Sequence, residues 1–242
     1  MKKLVVKFLR IRPDSMVVHI AANIIIIAVV LSLYIGCIAA PAAVIATAPI
    51  YRGNETQKQV SLMINVYWGE QLIPEILQVL EQYGATCTFF VGGSWAVKNI
   101  PTLQMISEKH EIGNHGYLHK DHKKLSKAQN RDEILVCEKL VKEATGKKMT
   151  LFAPPSGSIG DNMLDVCKEL DYKVIMWSKD TIDWRDNDYN LVYKRATQGI
   201  RNGDLILMHP MPHTLKALPH ILQYYEKNGY KAVSVSQIIN SR

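Results

Sequence analysis

From residue 60 onward, short apolar runs alternate with longer stretches whose apolar residues recur at three- and four-residue spacing. VSLMINV (60–66), TCTFFVG (86–92), EIGNH (111–115), MTLFA (149–153), YKVIMW (172–177), DLILMH (204–209) and YKAVSV (230–235) have the length and composition of strands. Between them, LIPEILQVLEQYG, RDEILVCEKLVKEATG and ALPHILQYYEKNG have helical spacing and end at Gly. Strand and helix in alternation predict an α/β fold with a parallel sheet, and about seven repeats predict a closed or nearly closed (β/α) barrel over residues 59–242.

A different pattern precedes it. Residues 16–48 contain no Asp, Glu, Lys or Arg, and about 20 such residues suffice to cross a bilayer. The reading is a transmembrane signal-anchor over 16–48, with the span at about 17–40. A basic tail, 1–15, lies ahead of it and a polar linker, 49–58, follows. Lys2, Lys3, Lys7, Arg10 and Arg12 keep the N-terminus cytoplasmic by the positive-inside rule, so the barrel is expected outside the cell membrane. The small residues of AAPAAVIATAP also suit signal cleavage, which would release a secreted domain.

Charge and cysteine content then narrow the partners. The formal charge is +7, but residues 1–15 hold five Lys or Arg against one Asp, so the tail carries +4 and the remainder +3. No basic run interleaved with aromatics follows, which argues against nucleic-acid binding. The four cysteines, Cys37, Cys87, Cys137 and Cys167, fit no metal-ligand spacing and are expected as small buried side chains; a disulfide among the exported three is the alternative.

In parallel barrels the chemistry collects at the C-terminal ends of the strands. Five polar clusters fall there: Asn65 to Glu70, His115 to His119, Ala153 to Gly157, Asp180 to Trp184, and His209. His115 and His119, four residues apart, would share one face of a helical turn, within reach of one divalent ion.

TFFVGGSW, EIGNHGYLH, APPSG, DTIDW and LILMH, in that order and separation, resemble the polysaccharide deacetylases with a NodB homology domain, carbohydrate esterase family 4, and most nearly their sporulation-associated branch. The resemblance covers about residues 57–242. It implies a distorted (β/α) barrel and a divalent ion, usually zinc, held by an Asp and by His115 and His119. In such enzymes the ion polarises an acetamide carbonyl and activates water. The resemblance makes His209 the acid that protonates the departing amine and Asp183 the carboxylate that orients it. Around the sugar it places Asn65, Pro154, Pro155, Trp184, Leu205 and Leu207. The implied partner is an N-acetylated cell-wall glycan, peptidoglycan or chitin-like.

The first motif departs from the family's T-F-D-D, whose two Asp are the general base and the third metal ligand. Here it reads Met63-Ile64-Asn65-Val66. The Arg of the third motif, which pairs with the base, is Ala153. An Arg facing a neutral Asn65 would be an unpaired buried charge, so the two changes read as joint replacement of an ion pair. Three substitutes are available: Glu70 as base or ligand, His122 as a third histidine, or the Asn65 amide oxygen as a weak ligand. Their ordinary readings are a helix N-terminal acid, a solvent-exposed loop residue and a hydrogen-bonded turn residue. Two functions from different classes follow. One is a metal-dependent N-deacetylase with weak or altered activity; the other is a catalytically silent protein that binds a glycan or a partner. Use of the barrel purely as an envelope or spore scaffold is a third.

Overall fold

The computed structural model describes residues 16–39 and 48–240. The chain divides into two compact units at residues 45 and 46. In the first, helix α1 (Met16–Ala39) carries no charged residue, and Ile24, Ile25, Ile26 and Ile27 are each more than half exposed. Its side chains are described at Met16 and over residues 18–32, and among the described residues no helix is long and apolar enough to cross a membrane. The anchor therefore rests on the sequence. The basic tail, 1–15, and residues 40–47 of the predicted anchor lie outside the described residues.

The second unit is an α/β sheet of parallel strands curled into an incomplete, distorted barrel. Its strands are β1 (Gln59–Val66), β2 (Thr88–Val91), β3 (Glu111–Asn114), β4 (Leu151–Phe152), β5 (Lys173–Val174), β6 (Lys179–Asp180), β7 (Leu205–Met208) and β8 (Lys231–Ala232). The order is β5-β4-β3-β2-β1-β7-β6, with β8 also pairing β1. Every predicted run contains a strand, most of them shorter than the run, and β6 was not predicted. The helices that follow are α2 (Ile73–Gln82), α3 (Gly93–Ala96), α4 (Ile100–Lys109), α5 (Lys127–Thr145), α6 (Asp161–Glu169), α7 (Tyr189–Thr197), α8 (Pro212–Lys227) and α9 (Val235–Asn240).

Alternation along β1 explains why both faces are buried. Val60, Leu62, Ile64 and Val66 join the larger apolar cluster with helix residues such as Ile73, Ile76 and Leu80, whereas Met63 joins Phe90, Leu151, Ala153 and Leu205 in a smaller one. Side chains of a strand point alternately to opposite faces, so Asn65 shares the side of Met63, toward the barrel interior.

The two ends of the sheet path, β5 and β6, are consecutive pieces of chain. Between them Ile175 N donates to Phe152 O on one side and Ser178 N to Leu205 O on the other, at 2.8 and 3.0 Å. The predicted linker, 49–58, enters this seam. Ile50 bridges Ile175, Arg52 bridges Asp204, and the Arg52 guanidinium pairs with the buried Asp204 carboxylate at 2.6 Å. Residues 50–53 are thus part of the barrel wall. Cys87, Cys137 and Cys167 are buried and free, so the described cysteines form no disulfide. Burial pushes the Cys137 and Cys167 thiols up to about 12.

Candidate functional site

The loops after β1, β3, β4, β6 and β7 meet around a cavity of about 330 Å³ at the C-terminal end of the barrel. Asn65, His115, His119, Trp184, Leu207 and His209 all line it. A wider groove of about 740 Å³ between α7 and α8 contains none of the predicted residues.

Asp183 and His209 form a closed hydrogen-bonded pair. Asp183 is fully buried, and His209 Nδ1–H donates to its Oδ1 at 2.7 Å. Its Oδ2 accepts from His209 N at 2.7 Å and from Thr214 Oγ1 at 2.6 Å. The carboxylate therefore fixes both the ring and the backbone of His209, leaving Nε2 for the cavity. His213 Nε2–H donates to the Asp183 carbonyl at 2.7 Å, which ties the start of α8 to the same loop.

Asp183 is aimed by an unusual backbone. Ile182 is left-handed at φ 53°, a conformation a β-branched residue adopts only when its surroundings impose it. Asp180 Oδ1 accepts from Ile182 N at 2.7 Å, and the flanking Thr181 is held by Leu207 O and by Arg195. The same turn places Asp180 in the cavity wall. Burial, and then the nearby Asp183, push the Asp180 carboxyl above its usual range.

On the other side, His115 and His119 stand on an irregular loop instead of a helical turn. Their ring centroids are 5.1 Å apart, and left-handed geometry at Gly116 (φ 74°) and His119 (φ 54°) brings the rings together. His115 Nδ1–H donates to Ala153 O at 2.7 Å, so Nε2 is the acceptor nitrogen of a neutral ring. Burial, reinforced by His119, lowers its pKa to about 3. Two side chains fasten the loop. Asn114 Nδ2 donates to Ile134 O and Asn114 Oδ1 accepts from Gly116 N, while Glu133 Oε2 accepts from the Tyr117 and Leu118 amides.

Of the three predicted substitutes, Glu70 and His122 do not enter the cavity. Glu70 is exposed, on a short 3₁₀ turn (Glu70–Leu72). His122 is fully buried, contrary to its reading as an exposed loop residue. Its Nδ1–H donates to Asn130 Oδ1 at 2.7 Å, and its ring packs edge-on against Phe152. Its Nε2 fills the space beside Gly116, where a Cβ would stand 2.9 Å away. Gly116→Ala combines that clash with a strained φ, so a loss of about 1–3 kcal/mol is expected; unchanged urea denaturation would show that the loop accommodates a side chain there.

Asn65 is the third correction. It is not a turn residue satisfied by its neighbours: it is 5 % exposed near the end of β1, and its Oδ1 has no hydrogen-bond partner. An unsatisfied buried acceptor costs about 1–3 kcal/mol. Pro154, Pro155 and Leu205 are buried outside the lining; Ser156, left-handed at φ 54°, takes the place expected for the prolines.

Two tryptophans of the wall were missed. Trp177 closes the strand run into the seam, and Trp68 lies parallel to His209, with ring centroids 5.7 Å apart and planes 7° off. The turn carrying Trp68 is clamped, because a Cβ on Gly69 would fall 2.4 Å from Pro210 O. Only the YWG turn at 67–69 marked it in sequence, and a solvent-facing Trp after a strand gives no register for its partner.

A divalent ion of the kind the family uses has too few donors here. His115 and His119 supply two, position 66 is a buried Val, and among the described residues no three His, Cys, Asp or Glu side chains are placed to hold an ion. Structural and catalytic zinc sites take at least three protein ligands, so this donor set does not fit one.

Comparison with known proteins agrees with this architecture. Residues 52–175 match the polysaccharide deacetylase family. The Bacillus subtilis protein YlxY is 33% identical over 193 residues, 79% of this chain and 60% of that protein, so the chain spans less than two thirds of that relative. A peptidoglycan-N-acetylglucosamine deacetylase of Bacillus cereus is 33% identical over 174 residues, covering 69% of this chain and 81% of that one. Among solved structures, BA3943, a CE4 family pseudoenzyme from Bacillus anthracis, superposes with a TM-score of 0.78 at 35% identity, over 81% of this chain and 70% of that one. A BA3943 mutant with restored enzymatic activity superposes equally well, at 34% identity over 81% and 72%. The matched span begins in the seam at Arg52 and ends at Ile175, so it contains the altered first motif and the histidine loop alike: the chain belongs to the polysaccharide deacetylase family.

Proposed function

We propose that this chain is a cell-membrane protein, anchored by its N-terminal helix with the barrel outside, that binds an N-acetylated cell-wall glycan with weak or no hydrolysis. The observation that carries the reading is Asn65. The residue at the base position is an amide that cannot accept a proton from water, and the carboxylate that the described residues bring to the wall, Asp180, is engaged through Oδ1 by Ile182 N. The lack of a third metal donor among the described residues supports the same reading.

The glycan is supported by the cavity and by the relatives. Trp68 and Trp184 are 40% and 54% exposed at its rim, and large amphipathic rings of this kind offer a stacking face to a pyranose. The Bacillus cereus relative is a peptidoglycan deacetylase, and the Bacillus anthracis structure is a pseudoenzyme of the same family for which a mutant has restored activity. The anchor is supported by the uncharged run and the five basic residues ahead of it.

The test uses the full chain purified in mild detergent. Acetate release from N-acetylglucosamine oligomers and peptidoglycan is measured with zinc, cobalt or manganese beside His209→Ala, and binding of the same oligomers is measured calorimetrically. Expected are saturable binding, no stoichiometric zinc after dialysis, and acetate release no greater than in the control. Metal-dependent release abolished by His209→Ala would return the chain to the active deacetylases, and absence of glycan binding would remove the glycan.

A further inference from the structure

The wide groove between α7 and α8 takes no part in the chemistry of the cavity, yet its lining has a definite character. Tyr189 and Tyr193, four residues apart, share one face of α7, and Tyr224 meets them from α8. Tyr193 and Tyr224 stand at right angles with ring centroids 6.3 Å apart, and all three rings are half-buried. The nearby Tyr225 and Tyr230 tie their hydroxyls to Ala196 O and Ile200 O at 2.9 and 3.3 Å; among the described residues no such bond engages the three groove tyrosines. Lys216 covers the Tyr189 ring at 4.1 Å, so the open faces are those of Tyr193 and Tyr224. Asn190 and Gln223 add exposed amides beside them.

The groove is continuous with the candidate site. A second hollow of about 520 Å³ shares Tyr189 and Asn190 with it and is closed by Asp188, Pro212 and His213. His213 is the residue whose ring holds the Asp183 carbonyl, and Trp184, next in the chain, stands at the rim of the cavity. Asp186 is clamped between Arg185 and Arg195 at 2.8 and 2.6 Å, which holds the loop that joins Trp184 to α7. Concave surface therefore leads from the cavity, past Trp184, and down between the two helices. The 16 residues of α8 run for about 24 Å, length enough for several sugars of an extended chain.

We propose that this groove is a glycan-binding track, taking the part of an uncharged N-acetylated chain that runs out of the cavity past Trp184. The inference rests on the glycan-binding reading above. A pyranose offers a C–H face to an aromatic ring and hydroxyls at its edge; the groove answers with the Tyr193 and Tyr224 rings, their hydroxyls, and the Asn190 and Gln223 amides. Charge selects the same class of ligand. Glu226 stands against Lys227 in the groove, and Asp188 against Lys216 in the hollow, so acid matches base along the track and nothing draws a polyanion or a polycation. A chain that holds its glycan without cleaving it gains from such length, because each further contact on a tethered ligand is made at high effective concentration.

The experiment titrates the dimer, tetramer and hexamer of N-acetylglucosamine into the full chain in detergent, for the unmodified protein, the double variant Tyr193→Leu, Tyr224→Leu, and Trp184→Ala. Leucine keeps the apolar contact that both tyrosines give the core and removes the planar face and the hydroxyl. The unmodified protein is expected to bind the hexamer about tenfold or more tighter than the dimer, the scale of two stacked rings. The double variant is expected to lose most of that gain and to bind the dimer unchanged; what gain it keeps measures the extra registers a longer chain offers. Trp184→Ala is expected to weaken all three ligands. Thermal unfolding accompanies each titration, and if the double variant unfolds, the exposed pair Asn190→Ala, Gln223→Ala takes its place. A hexamer no tighter than the dimer, or a gain that the variants keep in full, overturns the track while leaving binding in the cavity standing. Hexamer binding lost in the double variant but untouched by Trp184→Ala also overturns it, because the groove would then hold glycan apart from the cavity. Binding of no oligomer removes the glycan reading itself and the track with it.

Discussion

Replacing Asn65 by Asp is expected to raise acetate release from the N-acetylglucosamine tetramer at least about a hundredfold above the unmodified chain, the lower end of what a general base contributes. The substitution is nearly isosteric and returns a proton acceptor to the cavity wall, where His209 is already held by Asp183, itself bonded to Thr214 and the His209 amide. The pH dependence is fixed by what the cavity lacks. The introduced carboxyl would be buried with no Lys or Arg among the described residues of the lining, and Ala153 stands where the family has its Arg. Burial without a cation favours the protonated form and raises the carboxyl pKa. Because only the ionised form is a base, the rate should climb with pH through the neutral range instead of reaching its plateau below pH 6. Acetate release is followed from pH 5 to 9 with zinc present, beside the double variant Asn65→Asp, His209→Ala. Release no greater than in Asn65→Ala would mean that the missing third donor, and not the missing base, is what silences the chain.

The sequence displayed the fold wherever burial alone dictates a strand. β1 and β7 are sealed on both faces, so VSLMINV and LILM are nearly continuous apolar runs. β6 is Lys179–Asp180, and two charged residues become strand only because β7 pairs with them. Ile50 and Arg52 failed in the same way: PIYRGN has turn composition, and its place in the seam comes from Ile175 and Asp204, more than a hundred residues away. Local pattern carries no information about such long-range closure.

Asp183 and His209 were legible as residues because DTIDW and LILMH each lie at the end of a strand, and the structure brings the two side chains to 2.7 Å. The histidine side was legible in identity and wrong in geometry. Four-residue spacing suggested a helix, but Gly116 and His119 are left-handed, and the pair converges because Glu133 and Asn114 pull the loop onto α5 and β3. His122 was misplaced for a related reason. KDHKK reads as a solvated charge run, yet Asn130 on α5 accepts from the imidazole and holds it under the loop. Its Nε2 occupies the room that a side chain at 116 would need, so Gly116 and His122 are explained together.

Removing Asp183 should be the most destabilising single change in the barrel. Its carboxylate is fully buried and accepts three hydrogen bonds, from the His209 ring, the His209 amide and the Thr214 hydroxyl. Asp183→Ala deletes the acceptor and keeps every donor, and stranded buried donors are penalised more than an absent pair. Breaking a buried charged network from one side costs about 3–5 kcal/mol. Since about 1 kcal/mol shifts the melting temperature of a domain this size by about 2–4 °C, a fall of about 6–20 °C is expected in a thermal scan of the full chain in detergent. Asp183→Asn, which keeps one acceptor oxygen and the volume, should lose about half as much. A further comparison isolates the network from the turn that carries it: Thr214→Val removes one donor together with part of the demand on the carboxylate, and should cost only about 1 kcal/mol. If Asp183→Ala melted within a few degrees of the unmodified chain, the strained Ile182 turn would be held by Thr181, Leu207 and Arg195 without help from the carboxylate, and the survival of Asp183 in a chain lacking its base would have to be assigned to ligand binding and not to stability.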